Sequence, residues 1–163
     1  MTDSVSRELV EAFYAAYASQ DTEKLSALLH DEVEWVISGP IDVLPFCGRF
    51  RGKAAVIDLA GRVVPSVYRV VSFTRESLVL DGDRAATLNR MSGRRRDDGR
   101  IISYRLAHFL RFRDGKMIEN VSLIDSFDAA EQILGHPLDV HDGYDVDLTD
   151  LPDVAAAGSL VAL

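Results

Sequence analysis

The chain has 163 residues, 47% of them hydrophobic, a formal charge of −8 and one cysteine. That length buries one core and is short for two, and the acidic balance argues against a nucleic-acid backbone or an anionic membrane surface as partner. A lone Cys47 excludes an internal disulfide framework or a multi-cysteine metal site and reads as a buried bystander thiol.

The opening residues MTDSVSRELVEAF have neither the basic head nor the apolar stretch of a secretory leader, and no run approaches the ~20 apolar residues of a membrane span, so a cytoplasmic location is expected. Val5, Leu9, Ala12, Phe13, Ala16 and Tyr17 recur every three or four positions and predict a helix over 4–19. Asp21 is the expected N-cap of a second helix over 21–29, carrying Leu25, Leu28 and Leu29 inward. VEWVIS, from Val33, reads as a strand, and Gly39, Pro40, Pro45 and Gly48 read as an irregular loop. A third helix over 53–64 is bounded by Gly52 and Pro65.

From Val67 the pattern turns β-rich, and the separators DGD, DDG and DG are hairpin chemistry, so an antiparallel meander follows. The only basic cluster, Arg94-Arg95-Arg96, runs straight into Asp97-Asp98 and reads as the solvated end of one hairpin. Asp125 ends the last strand and caps a short helix over SFDAAEQIL. The domain is expected over 1–135, with an acidic arm over 136–163 that is either laid on a partner subunit or without fixed structure.

In YRLAHFLRF, period two places Tyr104, Leu106, His108, Leu110 and Phe112 on one face and Arg105, Ala107, Phe109 and Arg111 on the other. His108 thus interrupts an apolar row, either as a core histidine satisfied by a neighbour or as the polar centre of a ligand pocket. His30, beside Asp31 at a helix end, reads as a surface residue, His136 and His141 lack metal-ligand partners at a convincing spacing, and neither a metal nor a cofactor is implied.

Helices followed by a bent antiparallel sheet make an α+β layout enclosing a cone, with three N-terminal helices packed on the sheet. The pieces YAAYASQDTEKLSALLHDEVEW, FCGRFRGKAAV and FRDGKMIENVSLIDSFDAAEQ resemble the cystatin-like, nuclear-transport-factor-2-like superfamily, which includes ketosteroid isomerases, limonene epoxide hydrolases and SnoaL-type polyketide cyclases. The resemblance covers residues 5–134 and implies the fold more than the chemistry. In the register its members use, Arg113-Asp114-Gly115 forms a three-residue loop, Phe112 pairs with Lys116 and His108 lies opposite Asn120; a two-residue Asp114-Gly115 loop would place Val121 there instead. Tyr104, His108, Asn120 and Ser122 then face the cone, with Trp35, Val33 and Ile37, with Tyr14 or Tyr17 from the first helix, and with Arg90 and Ser92.

The isomerase's carboxylate base falls on Ile37, its oxyanion tyrosine on Phe13 and its aspartic acid on His108, so that mechanism is not carried over. The epoxide hydrolase set falls on Arg90, Ser92 and Ser122, and serine is a poor general base. For a cyclase-like site, His108 suits the pocket histidine and Asp125 the carboxylate, against its role as an N-cap. The expected function is a pocket for a small apolar molecule. It belongs to an isomerase, lyase or cyclase acting on a carbonyl-containing substrate, with His108 as acid/base or donor and Tyr104 in support. The alternatives are a non-catalytic binding module and a dimeric scaffold. A homodimer through the outer sheet face, with Met117, Val121 and Leu123 beside Phe109, is also expected.

Overall fold

The computed structural model describes residues 4–139. α1 (Arg7–Ala18) starts where the Ser6 hydroxyl accepts from the Leu9 amide at 3.1 Å, and it buries Val10, Phe13, Tyr14 and Ala16. Beyond it Gln20 turns the chain at a φ of 56°. α2 (Thr22–Leu28) is capped by Asp21, which accepts from the Lys24 amide at 3.0 Å. β1 (Leu29–Ser38) follows without a loop and begins at Leu29 rather than Val33, since His30-Asp31-Glu32 show no apolar alternation. It buries Val33, Trp35 and Ile37 and turns Glu34 outward, where Arg49 and Arg51 of β2 (Gly48–Arg51) pair with it. The expected irregular loop therefore ends in a strand of 4 residues, too short to show a period.

The third helix begins as expected but does not stop before Pro65. α3 (Lys53–Asp58) widens into a π-helical turn (Leu59–Val63) and resumes as α4 (Val64–Val67). Pro65 stands directly after that wider turn, so the run stays helical from Lys53 to Val67 through a residue expected to stop it.

β3 (Tyr68–Asp81), β4 (Arg84–Arg95), β5 (Ile101–Arg113) and β6 (Lys116–Ile124) form the antiparallel meander. The sheet order is β2-β1-β6-β5-β4-β3, with β1 parallel to β6. The sheet is thus mixed, not antiparallel throughout. The β1–β6 pairing joins strands far apart in sequence, and no hairpin separator announces its direction. Register shifts at Val70/Ser72 and Arg75/Ser77 bend β3. At Gly93 a Cβ would lie 2.6 Å from Cδ2 of Tyr68, so only glycine lets that ring rest on β4.

The β5–β6 turn corrects the expected register. Asp114 and Gly115 both have left-handed φ, 53° and 69°, which makes a two-residue turn with Arg113 opposite Lys116. That turn alone would put Val121 opposite His108. β6, however, carries one extra residue: Phe112 faces Met117 while Arg111 faces Glu119, leaving Ile118 as a bulge. Beyond it His108 faces Ser122, not Asn120, and Leu110 faces Asn120. Asn120 and Ser122 still point inward, and the bulge rather than the turn puts them there. Met117, expected on the outer face, is fully buried.

α5 (Ser126–Leu134) closes the cone, its Gln132 side chain bonding both the Ser103 amide (2.6 Å) and the Ser103 carbonyl (2.8 Å). Among the described residues no helix is long and apolar enough to cross a membrane. The arm expected over 136–163 lies, from residue 140 on, outside the described residues.

Candidate functional site

Strand register assembles the cone floor row by row. Thr87, His108, Ser122 and Ile37 stand side by side across β4, β5, β6 and β1, and the adjacent row is Ala85, Leu110, Asn120 and Trp35. Toward the other end, Asn89 stands beside Leu106 and Met91 beside Tyr104.

His108 is 1% exposed. Its Nδ1 lies 2.8 Å from the Tyr14 hydroxyl, which lies 2.6 Å from Thr87 Oγ1. Asn89 Nδ2 donates to the same Thr87 oxygen at 2.9 Å. His108 Nε2 makes no hydrogen bond among the described residues. A second set runs from Trp35 Nε1, which donates to Ser122 Oγ at 3.1 Å, and on to Asn120 Oδ1 at 3.4 Å. A third is the pair of hydroxyls of Tyr68 and Tyr104, 2.9 Å apart. Two buried atoms at the floor, Asn89 Oδ1 and Asn120 Nδ2, have no partner. The Tyr14 and Phe73 rings stack beside the imidazole, and Trp35 meets it edge-on.

Among the described residues, no charged side chain lines this space. Burial lowers the His108 pKa to about 3, so the ring is neutral at ordinary pH. Burial likewise raises Tyr14 and Tyr17 to about 12 and carries Tyr68 and Tyr104 well above the usual phenol value. All four are donors with their protons in place. The cavity they face, lined by Tyr17, Trp35, Tyr68, Phe73, Tyr104 and His108 among others, has a volume of about 20 Å³. That admits about one water molecule. Two larger concavities are open: one of about 260 Å³ on the outer sheet face, where Asp81, Arg84, Arg111 and Glu119 surround Phe109 and Val121, and one of about 570 Å³ between α1 and α2, lined mostly by alanine and leucine.

Two candidates fall elsewhere. Arg90 points outward and pairs with Glu76 at 3.2 Å, beside Arg105; it stands opposite Arg105, whose outward direction the β5 alternation already gave. Ser92 is likewise outside, bonded to Ser103 Oγ at 3.0 Å. Asp125 is exposed and caps α5, accepting from the Asp128 amide at 3.4 Å, and it does not line the cavity. Thr87, Asn89 and Tyr68 join the polar floor without having been singled out. For the first two, the readable signal was that they share strand parity with Ala85 and Met91, the small and apolar positions of β4. Tyr17 lines the cavity as expected, and Tyr14 reaches His108 from α1 without being part of the cavity wall. Cys47 is buried, and burial pushes its thiol up to about 11, which disfavours the thiolate. His30 is engaged at the surface by the Glu32 amide at 3.1 Å, and His136 is exposed. No group of three or more His, Cys, Asp and Glu side chains converges among the described residues.

Residues 10–120 match the family described as the SnoaL-like domain. The crystal structure of a protein from Rhodopseudomonas palustris, provisionally named an isomerase, is 33% identical over 81% of this chain and all of its own, with a TM-score of 0.74. An NTF2-like protein from Burkholderia xenovorans is 23% identical over 76% of this chain and 92% of its own, TM-score 0.64. TerC, co-crystallised with polyporic acid, is 22% identical over 78% and 96%, TM-score 0.67. No curated protein sequence matches. The mixed six-stranded sheet, the helices against its inner face and the match over most of the domain lead to one conclusion: the chain belongs to the SnoaL-like family and has the NTF2-like fold.

Proposed function

We propose that the chain holds a small uncharged molecule bearing carbonyl-type acceptor oxygens, seated over His108, and that it acts on it as an isomerase, lyase or cyclase, with His108 donating a hydrogen bond to a carbonyl. One observation carries this: a fully buried imidazole whose Nδ1 is engaged by Tyr14 while Nε2, among the described residues, has no partner at the cavity wall. The lining favours a neutral ligand, since it contains phenols, an indole and a neutral imidazole and no carboxylate, lysine or arginine. Tyr68 and Tyr104 together own two hydroxyl protons and share one hydrogen bond, so one proton is left for an acceptor. A ring that protonates only near pH 3 is a weak base, which favours the donor role over proton abstraction. Family membership and a relative provisionally named an isomerase support chemistry of this type.

The second reading, a cone filled by its own side chains, is favoured by the cavity's volume of about 20 Å³. Under the first reading Tyr17, Phe73 and Ile124, all part-exposed at the cavity, swing aside to admit the ligand. Thermal melts with a panel of uncharged cyclic ketones, matched carboxylates and amines separate the two. A ketone at a hundred times its Kd adds about 2.7 kcal/mol, a shift of several degrees, to the wild type. His108→Leu should lose that response. If no probe moves the melting temperature of either protein, the filled cone is the better account.

Pairing of two copies through the outer sheet face belongs to the same proposal. Val79, Ala86, Phe109, Val121 and Val36 form one row across five strands, with Leu88, Ala107 and Leu123 beside it. Arg111 with Glu119 borders this stripe on one side, and Glu76 with Arg90 and Arg105 on the other. An apolar centre with charged borders of both signs suits a self-complementary, two-fold contact.

A further inference from the structure

The proton count along the floor fixes more than the presence of a donor. Asn89 Nδ2 gives a hydrogen to Thr87 Oγ1 at 2.9 Å. The other partner of that hydroxyl, among the described residues, is the Tyr14 oxygen at 2.6 Å, so Thr87 spends its own proton there. Tyr14, having accepted from Thr87, has one proton to place, and His108 Nδ1 lies 2.8 Å away. In the opposite direction, with Nδ1–H donating to Tyr14 and Tyr14 to Thr87, the Thr87 proton would meet the Nδ2 donor of Asn89, whose buried amide oxygen is turned away and has no partner among the described residues.

We infer that Asn89, Thr87 and Tyr14 are positioning residues that form a one-way relay, holding His108 in the tautomer with its proton on Nε2, so that the cavity is presented with a donor and never with a bare nitrogen lone pair. Of the three, only Tyr14 hydrogen-bonds the imidazole, and none lines the cavity wall. The consequence is selectivity: a carbonyl oxygen is welcomed at Nε2, whereas an alcohol or amine proton arriving there finds no acceptor. This consequence rests on His108 as the ligand's donor, but the tautomer itself does not require a ligand. Its failure and the failure of ligand binding are therefore distinguishable.

The test is the long-range ¹H–¹⁵N correlation spectrum of the histidine rings in the full chain, without ligand, at neutral pH. The His108 signals are assigned by their absence in His108→Gln. The expected pattern is a pyridine-type Nδ1 and a pyrrole-type Nε2. Thr87→Ser, which keeps the hydroxyl, should reproduce it. Thr87→Val removes the step that sets the direction, and the Nδ1–H form should become a visible share of the population. Tyr14→Phe should shift Nδ1 toward the value of an unbonded nitrogen, which serves as a second reading if the valine variant fails to fold. A wild-type ring protonated at Nδ1, or a folded Thr87→Val protein with the wild-type pattern unchanged, overturns the relay.

Discussion

His108 is neutral because water is excluded from it, and its neutrality is measurable as a pH dependence of stability. Its pKa falls from the ordinary 6.5 to about 3 in the folded chain. Between those values the unfolded chain binds a proton that the folded one refuses, so stability is intact above about pH 6.5 and is lost as pH falls toward 3. The slope is up to roughly 1.4 kcal/mol per pH unit from this one group. Exposed carboxylates such as Asp31, Glu34 and Glu76, held below their usual range by hydrogen bonds from Lys53, Arg49 and Arg105, also weaken the fold in acid, but in any variant alike. Urea titrations of the wild type and His108→Gln across pH 4–7 should therefore differ in slope, with the glutamine protein flatter. Parallel curves would mean that the ring is protonated inside the folded chain.

At the scale of elements, the β5–β6 hairpin shows how one residue of bookkeeping decides which face is polar inside. A tight left-handed turn and a bulge at Ile118 compensate each other, and Asn120 and Ser122 end up on the cone floor. Deleting Ile118 removes the extra residue and keeps His108 opposite Ser122. It should therefore cost about 2–4 kcal/mol, the lost burial of one large side chain, and match Ile118→Ala in urea midpoint. A deletion far costlier than the alanine would show that the bulge itself shapes the sheet. Much of this fold was legible in the chain: the stripes of α1, the Asp21 and Asp125 caps and the separators of the meander each act over a few residues. The illegible parts are non-local. The parallel direction of β1 against β6 is set by strands far apart in sequence, and the bulge is silent because Met117 and Ile118 are both apolar and fit either register. At the site, the inward direction of His108 and Tyr104 followed from alternation, while Arg90 was placed inside by likeness to other chemistry, against the parity of its own strand.

For the whole molecule, the outer face should determine the assembly. Phe109 is 50% exposed and Leu123 47%, at the middle of the apolar stripe. If two copies meet there, Phe109→Glu buries like charges at the two-fold axis and should convert a dimer to a monomer in sedimentation equilibrium, while His108 and its relay, on the other face, keep their spectrum. A wild type that sediments as a monomer at micromolar concentration would leave the stripe without that partner.

The relay also ties chemistry to mechanics. Two of its members and His108 itself ride on the sheet, but Tyr14 rides on α1, which is held to the domain by one apolar face, by the Glu11–Arg75 ion pair and by the Val5 amide bonded to the Gly82 carbonyl. Any displacement of α1 large enough to enlarge the space over His108 draws the phenol away from Nδ1. In such an opened chain the imidazole is free to exchange its proton between its two nitrogens, and only re-seating the helix restores the donor. Capture and activation of a carbonyl would then be one event rather than two. The cone would be armed by closing, with the first helix acting as both door and latch.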